Sequence, residues 1–392
     1  MPTLDLAPAS VADYRRLAER RLPRFLFDYL DGGAYAEVTL ARNVRDFERL
    51  ALLQRILKDV SARSTATNLF GAEATMPLAL SPVGLSGMMA RRGEAAARRV
   101  AGAFGVPYCL STLSVCSVEE TAAAGSGPLW FQLYMIRDRE ACADLIRRAK
   151  AAGVSVLVLT VDLPVVGTRY RDVRNTMSGG GNVWTQLRRG LISYALHPGW
   201  TLDVGLGGKP HVLGNIAPYV KSASTPADFS AWANASIDPS ISWADLAWIR
   251  AQWGGLLVIK GILSPEDAVE AVKHGADGII VSNHGGRQLD GVASSISMLP
   301  RIAEKVSGQT KLFIDGGVRS GQDILKAMAL GADAAMIGRP WVYALAGAGE
   351  AGLLNQLKAL HGEFSVSMAL TGVTETHQIS RSVLDLGAAG GI

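Results

Sequence analysis

The sequence predicts an α/β fold of the (β/α)8, or TIM, barrel class, and three observations carry that prediction. Eight short apolar runs recur without the polar alternation of a half-buried strand, as expected for a parallel sheet covered on both faces. Helix-compatible stretches separate most of the runs, the pattern of strand–crossover–strand units. Polar and glycine residues gather directly after the runs, on the end of the barrel where this class places its chemistry.

The first four runs are Pro77–Ser81, Val106–Leu110, Leu129–Leu133 and Val156–Thr160. The second four are Leu256–Lys260, Gly278–Ser282, Lys311–Asp315 and Ala334–Gly338. Helices are predicted over Asp138–Ala152, Pro265–His274 and Ser320–Leu330. Pro265 after Ser264, and Gly275 beyond His274, mark one of these at both ends. Spacing is regular except between the fourth and fifth runs, where residues 161–255 intervene. An insertion over about 173–242 is the simplest account. A doubly wound open sheet is the alternative, but no G-x-G-x-x-G follows the first run. The chain then reads as one domain: an Arg- and Asp-rich helical cap over 1–75, a barrel over 76–346, and a tail over 347–392. The tail is predicted to be helical from Gly352 to Thr371 and irregular beyond.

Composition narrows the function classes. At 392 residues and 48% hydrophobic, the chain has ample apolar material for a large core. Its net charge of +4 is spread along the chain with no basic-aromatic repeat, so no nucleic-acid partner is expected. Cys109, Cys116 and Cys142 are too few and too dispersed for a disulfide framework or a zinc site, and read as buried thiols in a reducing compartment. No metal is expected. Arg15, Arg16, Arg20 and Arg21 precede no apolar signal core. The longest apolar run, Val154–Val161, is far shorter than the ~20 residues of a membrane-spanning helix.

The predicted strand ends carry Ser111, Gln132 with Tyr134, Thr160 with Asp162, Lys260, His284 with Arg287, Asp315, and Gly338-Arg339. Each alone has a bland reading as a structural or solvent residue; the set on one rim does not. In Ser282-Asn-His-Gly-Gly-Arg-Gln-Leu-Asp290, a histidine able to take a proton near neutral pH lies three residues before an arginine able to fork onto a carboxylate. The loop Asp315-Gly-Gly-Val-Arg-Ser-Gly321 after the seventh strand, and Gly338-Arg-Pro340 after the eighth, suit a phosphate. Glycines let backbone N–H groups approach the anion, and Arg319 and Arg339 neutralise it. Lys260 suits the electron-rich end of a flavin ring; a Schiff-base lysine, as in a barrel aldolase, is the alternative.

At this point the motifs resemble a family. The His284 segment, Phe131-Gln-Leu-Tyr134, Thr160-Val-Asp162, Ile259-Lys-Gly261 and Asp315–Arg319 are similar to those of FMN-dependent L-2-hydroxy acid dehydrogenases and oxidases. Finer matches at Phe27–Ala34, Ser81–Gly84, Ala90–Glu94 and Asp238–Trp243 look most like the bacterial quinone- or cytochrome-linked L-lactate dehydrogenases. The resemblance implies FMN as cofactor and His284 as the base that takes the hydroxyl or Cα proton. Asp162 would stabilise the resulting imidazolium, since a nearby carboxylate raises a histidine pKa. Arg287, Arg169 and Tyr29 would hold the substrate carboxylate, and Tyr134 the hydroxyl region. Pro82, Val83, Gly84, Ser111, Gln132, Thr160 and Lys260 would meet the flavin ring. Ser282 would touch the ring or ribityl chain and Asp315 the ribityl hydroxyls. Gly316, Gly317, Arg319, Gly338 and Arg339 would hold the phosphate.

The same resemblance implies oxidation of L-lactate or a similar acid, a quinone or cytochrome acceptor, a homo-oligomer (a tetramer), and a peripheral position on the cytoplasmic face of the inner membrane. Gly84, where related oxidases often carry alanine, tilts the reading toward a dehydrogenase and away from an oxygen-reducing oxidase. In the insertion, Val183-Trp184, Leu187-Arg188-Arg189, Leu191-Ile192, Tyr194 and Trp200 suit a membrane interface, or else a lid or oligomer contact. Leu113, Val166 and Met88 are the expected walls of the acyl pocket. A phosphosugar isomerase or aldolase, colourless without flavin, is the reading from another class.

Overall fold

The eight apolar runs are the eight staves of a closed barrel. The computed structural model describes residues 7–175, 191–219, 232, 235–385 and 387. A hairpin, β1 (Thr67–Leu69) and β2 (Ala72–Ala74), precedes the barrel strands β3 (Leu78–Leu80), β4 (Tyr108–Ser111), β5 (Leu129–Leu133) and β6 (Val156–Thr160). The connection over 161–255 follows, and then β7 (Leu256–Ile262), β8 (Gly278–Val281), β9 (Lys311–Ile314) and β10 (Ala334–Ile337). All eight pairings are parallel and β10 closes on β3.

Strand periodicity sorts side chains into two cores. Leu78, Leu80, Phe131, Leu157, Leu159, Ile259 and Ile279 pack against the outer helices. Ala79, Cys109, Trp130, Val156, Val158, Val258, Ile280, Phe313, Ala334 and Met336 fill the interior. The bottom of the barrel is plugged by the hairpin: Phe70 stacks on Phe313 at 5.4 Å and meets the edge of Trp130 at 5.8 Å. That hairpin lies in a stretch expected to be helical; residues 49–75 contain no helix. Three-residue strands leave too little periodicity to be read.

Helices α1 (Val11–Arg21), α2 (Arg24–Asp31) and α3 (Val38–Glu48) come before the barrel. The helices after the barrel strands are α4 (Gly93–Phe104), α5 (Val118–Ala123), α6 (Arg139–Ala151), α7 (Tyr170–Arg174), α8 (Asp245–Trp253), α9 (Pro265–Lys273), α10 (Ser295–Val306), α11 (Gly321–Ala329) and α12 (Arg339–Leu370), of which short α7 packs on α2. Their starts are chemically marked: Ser117, Asp138, Ser264, Ser294 and Ser320 each accept a backbone N–H from the first turn. Helix α12 kinks at Ala348–Gly349. Cys109, Cys116 and Cys142 are free and buried.

The long connection returns to the barrel through an antiparallel bridge between Ile136 and Ile237. Arg139 fastens this end by ion pairs to Asp238 at 2.7 Å and Asp245 at 3.1 Å. Within the connection Trp200 is buried, with its Nε1 donating to the Met88 carbonyl at 2.8 Å. It is therefore not available to a membrane, contrary to the sequence reading. Tyr194 stacks on it, while Leu191, Ile192, Leu196, Leu202 and Leu206 are exposed. Val183, Trp184, Leu187, Arg188 and Arg189 lie outside the described residues.

Candidate active site

Continuing the inward-facing alternation one step beyond each interior apolar residue gives the topmost barrel layer. Two residues past Ala79, Cys109, Trp130, Val158, Val258, Ile280, Phe313 and Met336 stand Ser81, Ser111, Gln132, Thr160, Lys260, Ser282, Asp315 and Gly338. The layer is polar because its inward side chains line a cavity at the carboxyl ends of the strands, not because it meets solvent. Ser111, Gln132, Thr160, Lys260 and Asp315 are all buried.

One cavity brings together nearly every residue singled out in the sequence. Its lining includes Tyr29, Pro82, Val83, Gly84, Ser111, Gln132, Tyr134, Thr160, Arg169, Lys260, His284, Arg287, Asp315, Gly316, Gly317, Arg319, Gly338 and Arg339. Asp162 and Ser282 stand just behind the lining, each in contact with a residue of it. Ser282 Oγ accepts from Lys260 Nζ at 2.9 Å and from the His284 backbone N–H at 3.0 Å, so it orients both neighbours. Leu113 and Val166 line the cavity, but Met88 does not; its carbonyl is the acceptor for Trp200. Leu163, Leu213 and Ile237 were not anticipated. Tyr134, Leu163 and Ile237 form a small apolar cluster with Leu113 and Val166 packed against it.

His284 holds its ring in place with unusual backbone geometry, φ 58°, which a non-glycine residue adopts at a cost and which recurs at functional sites. Its Nδ1 lies 2.8 Å from Asp162 Oδ1. Asp162 reaches this position because β7 bulges at Gly261 (φ 106°): a Cβ there would lie 2.5 Å from the Asp162 carboxyl carbon. Burial alone would raise the Asp162 pKa, but His284 and Lys260 together hold it below the usual carboxylate value. The carboxylate is thus ionised, the imidazole donates from Nδ1, and Nε2 is left as the proton-accepting atom. Burial pushes the His284 pKa below its ordinary value, overriding the upward pull of Asp162. The net direction is opposite to the one the carboxylate alone implies. The ring therefore waits as a neutral base.

Lys260 Nζ pairs with Asp315 Oδ2 at 3.0 Å. Burial would lower the lysine pKa, but Asp315 and Asp162 raise it overall, so a fixed cation stands in the cavity floor. Across the cavity, the guanidinium carbons of Arg287 and Arg169 lie 4.8 and 5.9 Å from the Tyr29 ring centroid. Burial, aided by Arg287, lowers the Arg169 pKa to about 10. Two cations crowded on one aromatic ring suit an anion between them.

Several buried polar atoms in this region have no hydrogen-bond partner among the described residues: Gln132 Nε2, Thr160 Oγ1 and Asp315 Oδ1. Buried donors and acceptors of this kind are costly unless something completes them. After β9, Gly316 and Gly317 have φ 89° and 102°, and a Cβ on Gly317 would lie 2.2 Å from the Asn43 carbonyl oxygen. Arg319 and Arg339 stand beside this glycine turn in the lining. A polar floor with a cation, unfilled amide and hydroxyl groups, and a glycine-arginine pocket fit a flavin mononucleotide.

The sequence profile of the FMN-dependent dehydrogenases matches residues 18–386. An L-lactate dehydrogenase of Caulobacter sp. (strain K31) is 55% identical over 376 residues, covering 96% of this chain and 98% of that protein. One from Pseudomonas paraeruginosa is 54% identical over 378 residues, with 96% and 98% coverage. Among solved structures, the monotopic membrane protein (S)-mandelate dehydrogenase superposes with a TM-score of 0.90 at 36% identity, covering 97% of this chain and all of that one. A mandelate oxidase superposes at 0.81 with 39% identity and 97% and 98% coverage. Sequence profile, full-length relatives and barrel geometry agree: the chain belongs to the FMN-dependent dehydrogenase family.

Proposed function

We propose that this enzyme oxidises L-lactate, or a closely similar L-2-hydroxy acid, to the 2-oxo acid and passes the electrons to a membrane quinone or cytochrome. FMN, the cofactor of its family, takes up the two electrons when bound. The observation that carries the reading is His284, backed by Asp162 at 2.8 Å, lining one cavity with Lys260, Arg169 and Arg287.

Each residue then has a task. Arg287 and Arg169 grip the substrate carboxylate, with Tyr29 beside them. That grip turns an encounter into a fixed geometry, the large entropic share of catalysis. His284 Nε2 takes the substrate proton, and ionised Asp162 stabilises the imidazolium formed. The phenol of Tyr134, kept protonated by burial, stands as a donor near the hydroxyl. Lys260 would place its positive charge beside the ring of a bound flavin and favour the reduced form. Gln132, Thr160 and Ser111 would hold the polar edge of the flavin ring, Asp315 the ribityl chain, and Gly317, Arg319 and Arg339 the phosphate.

Leu113, Leu163, Val166 and Ile237 form the apolar wall next to Tyr134 and favour an aliphatic side chain on the acid. The relatives at 54–55% identity are named L-lactate dehydrogenases, which supports lactate as the first substrate to try. No helix among the described residues is long and apolar enough to cross a membrane. Exposed Leu191, Leu196, Leu202 and Leu206 suit a peripheral seat on the cytoplasmic face of the inner membrane. The monotopic relative supports such an association, and a tetramer would present four such surfaces together.

The test is an anaerobic titration of the purified yellow protein with L- and D-lactate, following the visible flavin absorbance. Bleaching by L- but not D-lactate is expected. A protein that stays oxidised with L-lactate would refute lactate as substrate. Rapid reoxidation by air, with peroxide released, would instead favour the oxidase reading.

A further inference from the structure

The last turn of α2 lies where the loops after β8 and β10 meet. A helix end leaves its final carbonyls without helical donors. Here those carbonyls are capped by arginines. Arg287 Nη1 donates to Tyr29 O at 2.6 Å and to Gly32 O at 2.8 Å. Arg339 donates from Nε to Leu30 O at 3.0 Å, from Nη1 to Gly285 O at 2.9 Å and from Nη2 to Gly32 O at 2.8 Å. Both of the Arg287 bonds use Nη1, so another edge of its fork is presented to the cavity. Gly32 O is shared by the two guanidiniums.

What holds this turn still is Asp31, which is buried at 6% exposure. Its carboxylate accepts from Arg15 Nε at 2.6 Å and Nη2 at 2.8 Å, from Arg171 Nη1 at 2.8 Å, and from the Tyr343 hydroxyl at 2.6 Å. These donors come from α1, α7 and α12. Tyr343 lies one helical turn beyond Arg339, so one face of α12 grips both the carboxylate and the carbonyls of the α2 end. Burial works to raise the Asp31 pKa, but the bonds from Arg15 and Tyr343 hold it far below the usual carboxylate range.

We infer that Asp31 is a positioning residue. It locks the last turn of α2 so that the turn's carbonyls aim Arg287 at the substrate carboxylate and Arg339 at the FMN phosphate, and the shared Gly32 carbonyl couples the two binding events. The inference rests on the roles given above to those two arginines. An arginine carries substantial rotamer freedom, and fixing its fork beforehand removes that cost from ligand binding. An ordered α2 end therefore strengthens recognition of both anions. It leaves recognition of the uncharged parts of the cofactor as it was.

Comparing FMN with riboflavin, which lacks the phosphate, isolates that effect. The Kd of each is measured on apoprotein by flavin fluorescence, and the Kd of pyruvate by perturbation of the flavin spectrum in the FMN-loaded protein. Asp31→Asn should lower the preference for FMN over riboflavin by roughly tenfold, the size of one misplaced charge-assisted bond, and weaken pyruvate by a similar factor. Tyr343→Phe, which removes one bond and no charge, should move both in the same direction by less, and it carries the test if Asp31→Asn does not fold. Equal weakening of FMN and riboflavin with unchanged pyruvate affinity would reduce Asp31 to a structural residue and overturn the inference. Arg339→Met separates the two levels. If it leaves the preference for FMN intact, the phosphate assignment itself fails; if it abolishes the preference while the Asp31 and Tyr343 variants keep it, only the positioning role fails.

Discussion

Asp162 lies 2.8 Å from His284, yet the imidazole titrates below its ordinary value because burial outweighs the carboxylate. A neutral ring can accept a proton; a charged one cannot. The acid limb of kcat/KM should therefore fall below the ordinary histidine value of 6.5, with activity rising as pH rises through it. In Asp162→Asn the upward pull is gone, so the limb should move further toward acid while the maximum rate falls. A limb shifted toward alkaline pH in that variant would contradict the balance described. Steady-state pH profiles decide it.

Substitution His284→Gln removes the proton-accepting nitrogen and keeps most of the volume. The protein should remain folded and yellow, while the rate of flavin bleaching by L-lactate drops roughly 10²–10⁴-fold, the usual contribution of a general base. Stopped-flow absorbance measures it, and wild-type-like reduction would remove His284 from the mechanism.

Arg287→Lys replaces a planar fork with a point charge. Loss of one charge-assisted bond of about 1.5–3 kcal/mol should raise the Kd for the acid by roughly ten- to a hundredfold. Equilibrium binding of pyruvate, read from the flavin spectrum, tests this without turnover. An unchanged Kd would argue that Arg169 alone holds the carboxylate.

Lys260→Met leaves Asp315 as a buried charge without its 3.0 Å partner. Breaking a buried pair this way costs about 3–5 kcal/mol. The variant should melt earlier, and, if Lys260 faces the flavin ring as proposed, its flavin midpoint potential should fall with loss of that cation. A redox titration against dyes that finds an unchanged potential would mean Lys260 serves the fold alone.

Exposed Leu202 and Leu206 lie on one helical stretch of the long connection. If that surface meets lipid, Leu202→Ser with Leu206→Ser should release the enzyme from sedimented vesicles while flavin reduction by L-lactate stays unchanged. An unaltered bound fraction would place the membrane contact elsewhere.

The barrel was legible because strands buried on both faces need unbroken apolar runs, and each of the eight runs became a strand within a residue or two. The polar rim was legible for the same reason: it continues the inward register by one step. Helix ends were readable where a serine or aspartate capped them. What could not be read depends on distant parts of the chain. Ile237 enters the cavity from the end of the long connection, with no local signal beyond one isoleucine before Asp238. Trp200 looked like an interfacial aromatic, but a single carbonyl at Met88 draws it inward. The direction of the His284 shift is a property of burial, which no pairwise motif contains. The β1–β2 hairpin plugging the barrel is too short to have a period.

The bridge between Ile136 and Ile237, with the Arg139 ion pairs beside it, gives the long connection a fixed point of return. At its start, Arg171 ties α7 to Asp31 and Glu37. A chain segment pinned at both feet can change its length at small entropic cost, since loop closure grows only logarithmically with length. Between the pins the segment touches the barrel at particular points, among them Trp200 on the Met88 carbonyl, Asn215 on the Ser111 carbonyl and Leu213 in the cavity wall. A change of length between those contacts leaves the strand ends, and the polar layer they carry, where they are.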